Sequence, residues 1–414
     1  MSTGLDPAPD QTPIDLGFDP GDPRFVANPY PAYERLREQG PIVYDEATDH
    51  WLVTRFDDVR SMLRDRRFGR TYLHLATHEE MGREPPPDSH DAFWHLITHG
   101  ILDMEPPDHT RVRRLVSKAF TPRMVESMRE PVQRLTDGLI DAVAGAGEFD
   151  LLPLIAEPLP VAVIAELLGI PHTDRHLLRP WSADICRMYE LHPNERDAEV
   201  AVAASVEFSE YLRALSRERR VAPTGDLISE MALVVDEGER LTEDELIGTC
   251  VLLLNAGHEA TVNVTGNGWW ALFRNPGSLA RLRADSRLVP TATEELMRWD
   301  TPLQLFERWV LEDVEVHGVH VPRGAELGLL FGSANRDPSR FDEPDELRLD
   351  RDPNPHLTFG AGRHFCLGAP LARLELQTSF ATVLSRLPRL ELAEEPRWKP
   401  GYIIRGLESL LVRT

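Results

Sequence analysis

One continuous helical pattern constrains the fold of this chain more than any other feature of its sequence. It begins at Thr242, which together with Glu245 has the spacing of a capping box, and it runs to Arg274, just before an Asn-Pro pair. A helix of about 32 residues is about 48 Å long at roughly 1.5 Å per residue, so it must cross the whole molecule. Residues 246–254 are apolar on nearly every face, which predicts a buried helix.

The rest of the chain predicts a mainly α (α+β) fold, a helix-rich domain with a smaller β-rich part. Helical patterns fill most of 107–299 and return from Cys366 to Leu387. Residues 70–105 have no clear period but many large apolar side chains, so we interpret them as a long loop that forms a wall of a binding site. Short strands are predicted in four ranges, 41–54, 301–355, 388–392 and 402–413.

The domain organisation is predicted to be simple. The first 20 residues are rich in Pro and Asp and are expected to be disordered. No tandem repeat or convincing linker interrupts the remainder of the chain, so residues 21–414 are expected to form a single domain.

Composition and charge exclude several classes of protein. The 414 residues carry a formal net charge of −23, which disfavours non-specific binding to nucleic acid or to an anionic membrane. Three cysteines far apart in sequence do not form a disulfide framework. The N-terminus lacks the pattern of a secretory signal, and the longest uncharged apolar stretch, 246–257, is too short to span a bilayer. We therefore expect a cytoplasmic protein.

The second strong feature is a cysteine in a glycine-rich loop. Residues 356–368 read HLTFGAGRHFCLG, in which Gly360, Gly362 and Gly368 indicate a tight turn. Cys366 is expected at the start of a helix, where free N–H groups and the helix dipole favour a thiolate. Phe359, seven residues earlier, is in a position to shield the sulfur from water.

Other uses of this cysteine fit less well. An inert core cysteine would not need such a loop. A nucleotide-binding loop would need a third glycine at the right offset after Gly362. A zinc site would need further Cys or His ligands, and only His364 is near. A single thiolate offered as an axial ligand remains.

The pattern Phe359-Gly360-x-Gly362-x-His364-x-Cys366-x-Gly368 resembles the haem-binding signature of the cytochrome P450 family. The resemblance implies haem b (iron protoporphyrin IX) as the cofactor, Cys366 as its metal ligand, and Phe359 and Gly368 as further cofactor-binding residues. It also implies the P450 fold and extends over residues 20–412, because Ala334–Pro338 and Arg405–Leu407 match the soluble bacterial members in the expected order.

Two further groups of charged residues are implied by the resemblance. Glu295 and Arg298, three residues apart on one helix face, match the ExxR motif, and Arg351 is expected to join them as a structural support. Haem propionates are anions that need cationic or imidazole donors. The positions that match such donors in the family are His109, Arg113, Arg308 and His356.

The long helix departs from the family pattern at its centre. Most relatives have Ala-Gly-x-Asp/Glu-Thr, whereas this chain has the acid as Glu259 but Ala260 at the position of the threonine hydroxyl, with Thr261 about 100° further round the helix. Two hypotheses remain open. A substrate hydroxyl or an ordered water completes the proton relay, or the enzyme couples poorly to ordinary oxygen activation and uses peroxide or performs another oxidation.

The resemblance also implies an apolar substrate pocket, covered by the loop 72–97 and the segment 181–189. An apolar lining favours a hydrophobic small molecule. Its expected lining residues are Leu253, Ala256, Gly257, Leu303, Gln304, Leu305, Ile403 and Ile404.

The implied function is that of a haem-thiolate monooxygenase that inserts one oxygen atom from O2 into a hydrophobic small molecule. The reaction would be a hydroxylation or an oxidative demethylation, which can belong to secondary metabolism. The alternatives are a peroxide-driven haem oxidant and a protein that binds haem or an apolar ligand without turnover.

Electrons must come from another protein, because no flavin or iron–sulfur motif accompanies the haem signature. A ferredoxin or flavodoxin with its NAD(P)H reductase is expected, and the enzyme is expected to be a monomer. The basic residues between 111 and 123, with Arg114 and Lys118 among them, are predicted to dock this acidic partner.

Overall fold

Helices make up most of the structure, a computed structural model that describes residues 17–191 and 193–414. The predicted mainly α fold with a smaller β part is confirmed. In chain order the α-helices are α1 (Pro23–Ala27), α2 (Tyr30–Gln39), α3 (Phe56–Met62), α4 (Asp91–Thr98), α5 (Asp108–Ala119), α6 (Pro122–Ser127), α7 (Arg129–Val143), α8 (Pro158–Leu168), α9 (Leu178–Cys186), α10 (Glu195–Val221), α11 (Leu227–Leu233), α12 (Glu243–Arg274), α13 (Pro276–Ala284), α14 (Val289–Trp299), α15 (Phe331–Ala334) and α16 (Ala369–Arg386).

The strands form three small sheets. They are β1 (Ile42–Asp45), β2 (His50–Val53), β3 (Phe68–Gly69), β4 (Glu148–Asp150), β5 (Leu305–Val310), β6 (Val314–Val316), β7 (Val319–Val321), β8 (Glu326–Leu330), β9 (Glu391–Leu392) and β10 (Leu411–Arg413). A five-stranded sheet has the order β1-β2-β8-β5-β3, a three-stranded sheet has the order β4-β10-β9, and β6 pairs with β7. The predicted hairpin at 41–54 is confirmed as β1 and β2.

The long helix α12 is the axis of the helical part, as its sequence predicts. Its capping box is formed, since the Thr242 hydroxyl accepts from the Glu245 N–H at 3.1 Å and the Glu245 carboxylate accepts from the Thr242 N–H at 2.8 Å. The helices α8, α9, α10, α14 and α16 all contact it. Residues on α12 are therefore placed by packing from several directions.

The structure differs from the sequence-based expectation in local detail. The segment 70–105 is not all loop, because it contains α4, whose Phe93 and Leu96 are buried. The predicted helix 122–144 is two helices that meet at Met128. The helix predicted to start at Cys366 starts three residues later, and only the last part of 402–413 is a strand.

Aromatic residues near the N-terminus form a core of their own. Phe18 packs edge-on against Phe25 and Tyr402 at ring-centroid distances of 5.3 and 5.5 Å. Phe18 belongs to the segment predicted to be disordered, of which residues 1–16 lie outside the described residues. The hydroxyl of Tyr33 donates to Gln304 Oε1 at 2.8 Å. Because Gln304 directly precedes β5, this aromatic core helps to position the start of that strand.

A buried ion network joins α14 to the chain that precedes the Cys366 loop. The Glu295 carboxylate accepts from Arg298 Nε at 2.7 Å and lies 3.1 Å from Arg351 Nε, and all three side chains are buried. Further donors of the two arginines reach backbone carbonyls between 335 and 346. The network fixes the path of this irregular segment.

No helix among the described residues has both the length and the apolar character that a membrane crossing would require.

Candidate active site

The Cys366 loop is shaped by a glycine that no other residue could replace without strain. Gly362 has φ +71°, and a Cβ atom there would lie 2.3 Å from the carbonyl oxygen of Leu63. The loop closes on itself because the Cys366 N–H donates to the Phe359 carbonyl at 3.0 Å. Both constraints hold Cys366 at a defined place just ahead of α16.

The sulfur of Cys366 experiences opposing influences. Burial raises the pKa of the Cys366 thiol, whereas the N–H groups of Gly368 and Ala369 and the charge of Arg113 act to lower it. Burial is the larger effect, so the thiol is neutral when nothing is bound to it. The helix N-terminus, on which the predicted thiolate rested, supplies only the lowering part, and a thiolate here needs a bound cation as well.

Three buried nitrogen donors near this loop lack hydrogen-bond partners within the described residues. They are His109 Nε2, His364 Nε2 and Arg308 Nη2. The His109 and His364 rings lie 4.4 Å apart. Burial lowers the pKa of His109 to about 4, assisted by the charges of His364 and Arg113, and lowers the pKa of Arg308 to about 9. Such a group of donors suits an anionic ligand.

One carboxylate, Glu105, stands beside these donors. Its Oε2 accepts from Arg363 Nη1 at 2.7 Å, and its Oε1 lies 3.7 Å from His364 Nε2. Burial alone would raise the pKa of Glu105, but His364, the Arg70 N–H and Arg363 together lower it to about 2. Arg308 has no carboxylate within ion-pair distance among the described residues, and only the more distant Glu105 and Asp103 favour its charge.

The other two predicted propionate ligands are placed differently. Arg113 donates to the Phe365 carbonyl at 2.6 Å and acts on the Cys366 thiol, so it is close to the cysteine loop. His356 is not brought to the cluster. Its Nε2 lies 3.2 Å from Glu294 Oε2, and the same carboxylate is bound by Arg373 of α16.

The centre of α12 presents one less-buried face. Ala256 is exposed, and Leu253 and Ala260 are partly exposed, although α12 is buried before and after them. Residues 256 and 260 are four apart and lie on the same side of a helix. Gly257 points elsewhere, since a Cβ there would lie 2.9 Å from Ile164 Cδ1 of α8. Gly257 thus allows α12 to pack closely on α8. The less-buried face of α12 is formed by Ala256 and Ala260 instead.

Glu259 lies on a different side of the helix, in a cavity of about 320 Å³. Its Oε2 is 3.8 Å from Lys399 Nζ, and its side chain is 18% exposed. The preceding His258 is buried, and its ring nitrogens make no hydrogen bond within the described residues, although Nδ1 lies 3.8 Å from Glu259 Oε1. Burial lowers the pKa of His258. Thr261, the remaining predicted catalytic residue, is buried in the helix packing.

The predicted pocket residues outside α12 separate into two sets. Leu303 and Ile404 are partly exposed and form an antiparallel bridge. Gln304, Leu305 and Ile403 are buried in or beside the N-terminal aromatic core. Strand geometry explains the position of Gln304, since neighbouring residues of an extended chain face opposite sides. Its amide bonds with Tyr33 and with the Thr301 carbonyl.

Comparison with known proteins identifies the family. The family profile "Cytochrome P450" matches residues 196–399. The chain is 40% identical to cytochrome P450 monooxygenase PikC of Streptomyces venezuelae, over 94% of this chain and 92% of PikC. It is 36% identical to the polyketide biosynthesis cytochrome P450 PksS of Bacillus subtilis, over 96% of this chain and 98% of PksS. This chain belongs to the cytochrome P450 family.

Solved structures agree with this assignment. P450BioI in complex with acyl carrier protein ligated to hexadec-9Z-enoic acid superimposes with a TM-score of 0.87 at 36% identity, over 94% of this chain and 98% of that one. The P450 fold expected from the resemblance is therefore confirmed. The protein is a haem monooxygenase, and haem b is its cofactor.

The residues of this P450 fit haem b. The group needs one soft axial ligand for iron and donors for two propionates. Cys366 is the sulfur in the glycine loop, and His109, His364 and Arg308 each place near it a nitrogen that makes no hydrogen bond within the described part of the chain. His364 lies in this group of donors but is not among the propionate ligands predicted from the sequence. The signal was available, because it is the histidine of the signature itself.

A first prediction concerns the buried guanidinium of Arg308. Arg308→Met should accelerate haem loss from the holoenzyme by roughly 10- to 100-fold, since a hydrogen bond to a charged group contributes about 1.5–3 kcal/mol. Transfer of haem to an excess of apomyoglobin measures the rate. Arg67→Met, which removes an exposed arginine paired locally with Asp65, should leave the rate unchanged. An unchanged rate in Arg308→Met would show that Arg308 does not hold the cofactor.

Proposed function

We propose that this P450 hydroxylates a hydrophobic small molecule, with Cys366 as the axial ligand of the haem iron. The single observation that carries the proposal is the combination of one thiol in a closed glycine loop with buried nitrogen donors beside it that make no hydrogen bond within the described residues. When bound, haem supplies the reductive activation of dioxygen. The residues of the chain have to hold the haem, shape an apolar cavity and supply protons.

The haem is proposed to be held from two sides. Arg308, His109 and His364 would bind the propionates, while Arg113 and the N–H groups of Gly368 and Ala369 would stabilise negative charge on sulfur. The guanidinium of Arg373 packs over the ring of Phe359, with Arg373 Cζ 4.5 Å from the ring centroid. The ring of Phe365, which precedes the cysteine, lies 6.4 Å from the Phe359 ring, so Phe359 also contributes apolar surface to the cysteine loop.

A second prediction tests the sulfur ligand. Cys366→Ser should abolish the thiolate-type Soret band of the reduced, carbon monoxide-bound protein, because a hydroxyl does not donate charge to iron as a thiolate does. Cys186→Ser changes a partly buried cysteine in α9 and should retain the band. Loss of the band in both variants would point to general damage, and its retention in Cys366→Ser would exclude Cys366 as the ligand.

Apolar substrates are supported by the pocket and by the relatives. The candidate lining, Leu253, Ala256, Ala260, Leu303 and Ile404, carries no charge. Structural neighbours include CYP267B1 with myristic acid and CYP109E1 with corticosterone, both hydrophobic compounds. Curated relatives include a polyketide biosynthesis P450 and nocardicin C N-oxygenase, which supports a role in secondary metabolism.

Proton supply is proposed to run through Glu259. The cavity on its side of α12 is also lined by Glu157, Arg179 and Lys399, which gives water a polar route to the carboxylate. Ala260 offers no hydroxyl to continue the route. We therefore propose that an ordered water or a substrate hydroxyl occupies the space left by the missing threonine side chain.

A third prediction separates this proposal from poor coupling. Ala260→Thr should lower the product formed per NADPH consumed, because the new side chain displaces the water. The loss should be smaller than the roughly 10²-fold that a positioned proton-transfer group contributes, since threonine brings a hydroxyl of its own. Myristic acid is the probe substrate, with a plant-type ferredoxin and its reductase. Ala260→Val has the same shape without the hydroxyl and should lower the ratio further.

A higher ratio in Ala260→Thr alone would favour the second hypothesis, in which the wild-type enzyme couples poorly. Turnover with hydrogen peroxide and no reductase would then identify a peroxide-driven oxidant. An unchanged ratio in both variants would show that residue 260 has no part in proton delivery.

Electrons are proposed to come from a ferredoxin or flavodoxin that docks near the Cys366 loop. The predicted basic surface needs revision, because Arg114 pairs with Glu237 and Glu239, and Lys118 pairs with Asp236. These cations are largely neutralised within the chain. Arg123 of α6 is exposed and makes no ion pair within the described residues.

The surface next to Arg123 supports docking there. A cavity of about 320 Å³ lies between α6 and the start of α16, lined by Pro122, Leu367 and Pro370 among others. Leu367 is the residue directly after the cysteine in sequence. A partner at this cavity would approach the haem from the side of its sulfur ligand.

A fourth prediction concerns the reductant. Arg123→Glu should slow haem reduction by an acidic ferredoxin by about tenfold at low salt, which is the smallest effect usual for electrostatic steering of association. It should also weaken the salt dependence of the reduction rate. Stopped-flow measurement of the reduction rate is the test. Arg196→Glu, on the exposed start of α10, serves as the control and should leave the rate unchanged. An unchanged rate in Arg123→Glu would exclude docking at this residue.

A further inference from the structure

Two histidines and an aspartate meet on the surface where α4 crosses the first turns of α12. His95 and His99 are four residues apart, and their ring centroids are separated by 4.3 Å. His95 Nε2 lies 3.4 Å from Asp244 Oδ2. One ligand atom from each of the three residues lies within 4.8 Å of the other two. None of these residues belongs to the haem site.

The free atoms of this cluster are oriented by their other bonds. His99 Nδ1 lies 2.7 Å from the His95 carbonyl oxygen, so Nδ1 carries the proton and Nε2 keeps its lone pair. The second carboxylate oxygen, Asp244 Oδ1, accepts from Arg213 Nη2 at 3.2 Å, which leaves Oδ2 turned toward His95. Outer partners of this kind are what orient the ligands of protein metal sites.

The backbone of α12 also packs closely against the residues that directly follow α4. A Cβ atom on Gly248 would lie 2.8 Å from the carbonyl carbon of His99 and 2.9 Å from the Gly100 nitrogen. Gly248 is one helical turn beyond Asp244. This close approach fixes the distance between the backbone of the histidine pair and that of the aspartate. A ligand bound by all three residues therefore costs little backbone entropy.

We propose that His95, His99 and Asp244 bind a divalent transition-metal ion of the zinc type and that the ion ties α4 to α12. Two imidazole nitrogens and one carboxylate form a ligand set that zinc accepts, with water as the fourth ligand. Magnesium and calcium prefer oxygen ligands throughout and fit this set less well. Exposed side chains can adjust to the short metal–ligand distances, since His95 is 57% exposed.

The proposed site would have a mechanical effect. Helix α4 lies in the segment 70–105, much of which is irregular, whereas α12 is the most heavily packed helix of the fold. An ion shared by the two would restrain α4 and slow its local opening. This effect is independent of the chemistry at the haem.

A fifth prediction tests the site on the holoenzyme. Titration with Zn2+ against a chromophoric chelator should give one site that is lost in His95→Ala/His99→Ala. Each single variant should lower the Zn2+ affinity by more than roughly 10- to 100-fold, because that is the loss caused by mutating a residue that only hydrogen-bonds to a metal ligand. His172→Ala/His176→Ala is the matched control, because these histidines have the same spacing but lie in and beside a short 3-10 turn and belong to no three-ligand cluster within the described residues.

Hydrogen exchange gives a second readout that a non-specific surface ion would not produce. Zn2+ should slow amide exchange across Asp91–Thr98 in the wild type and in the control variant, but not in the His95/His99 variant. The proposal is overturned if the wild type binds no Zn2+, if the double variant binds it equally well, or if binding leaves exchange in α4 unchanged.

Discussion

The fully buried carboxylate of Glu295 is the interaction on which the geometry of the site depends. Two guanidiniums, Arg298 and Arg351, share it, and each also bonds to backbone carbonyls of the irregular segment between α15 and the cysteine loop. Such a network stabilises only when every donor is satisfied, and losing one partner of a buried pair costs about 3–5 kcal/mol. These hydrogen bonds thereby fix the backbone path of a segment without regular secondary structure.

The cysteine loop takes its position from this support. Asn335, the residue after α15, accepts from the Leu357 N–H through Oδ1 at 2.7 Å, while the Thr358 hydroxyl donates to the Met297 carbonyl of α14 at 2.8 Å. The loop is thus bonded to the helix that carries Glu295 at one end and leads into α16 at the other. The sulfur can be placed accurately although it is on a loop, because the surrounding hydrogen bonds are buried.

Sequence reasoning predicted those parts of the fold that depend on local pattern. The capping box at Thr242, the hairpin of β1 and β2 and the glycine loop each arise from neighbouring residues. Contacts between distant segments were not predictable in this way. The pairing of Lys118 with Asp236 joins residues 118 positions apart, and the contact of Gly257 with Ile164 depends on how α8 crosses α12. His356 and His364 likewise differ in their partners, which the local sequence does not reveal.

The centre of α12 shows why a single departure from the family pattern need not disrupt the rest. Within one helical turn, Ala256 and Ala260 border the open face, Gly257 packs on α8, and Glu259 faces the cavity with Lys399. Each side of the helix therefore meets a different environment. A change of side chain at 260 alters the open face alone, because the packing at 257 and the ion pair at 259 are on other sides. The surroundings of Glu259 and the space beside Ala260 are consequently separate, so the side chain at 260 can change without disturbing the contact of Glu259 with Lys399.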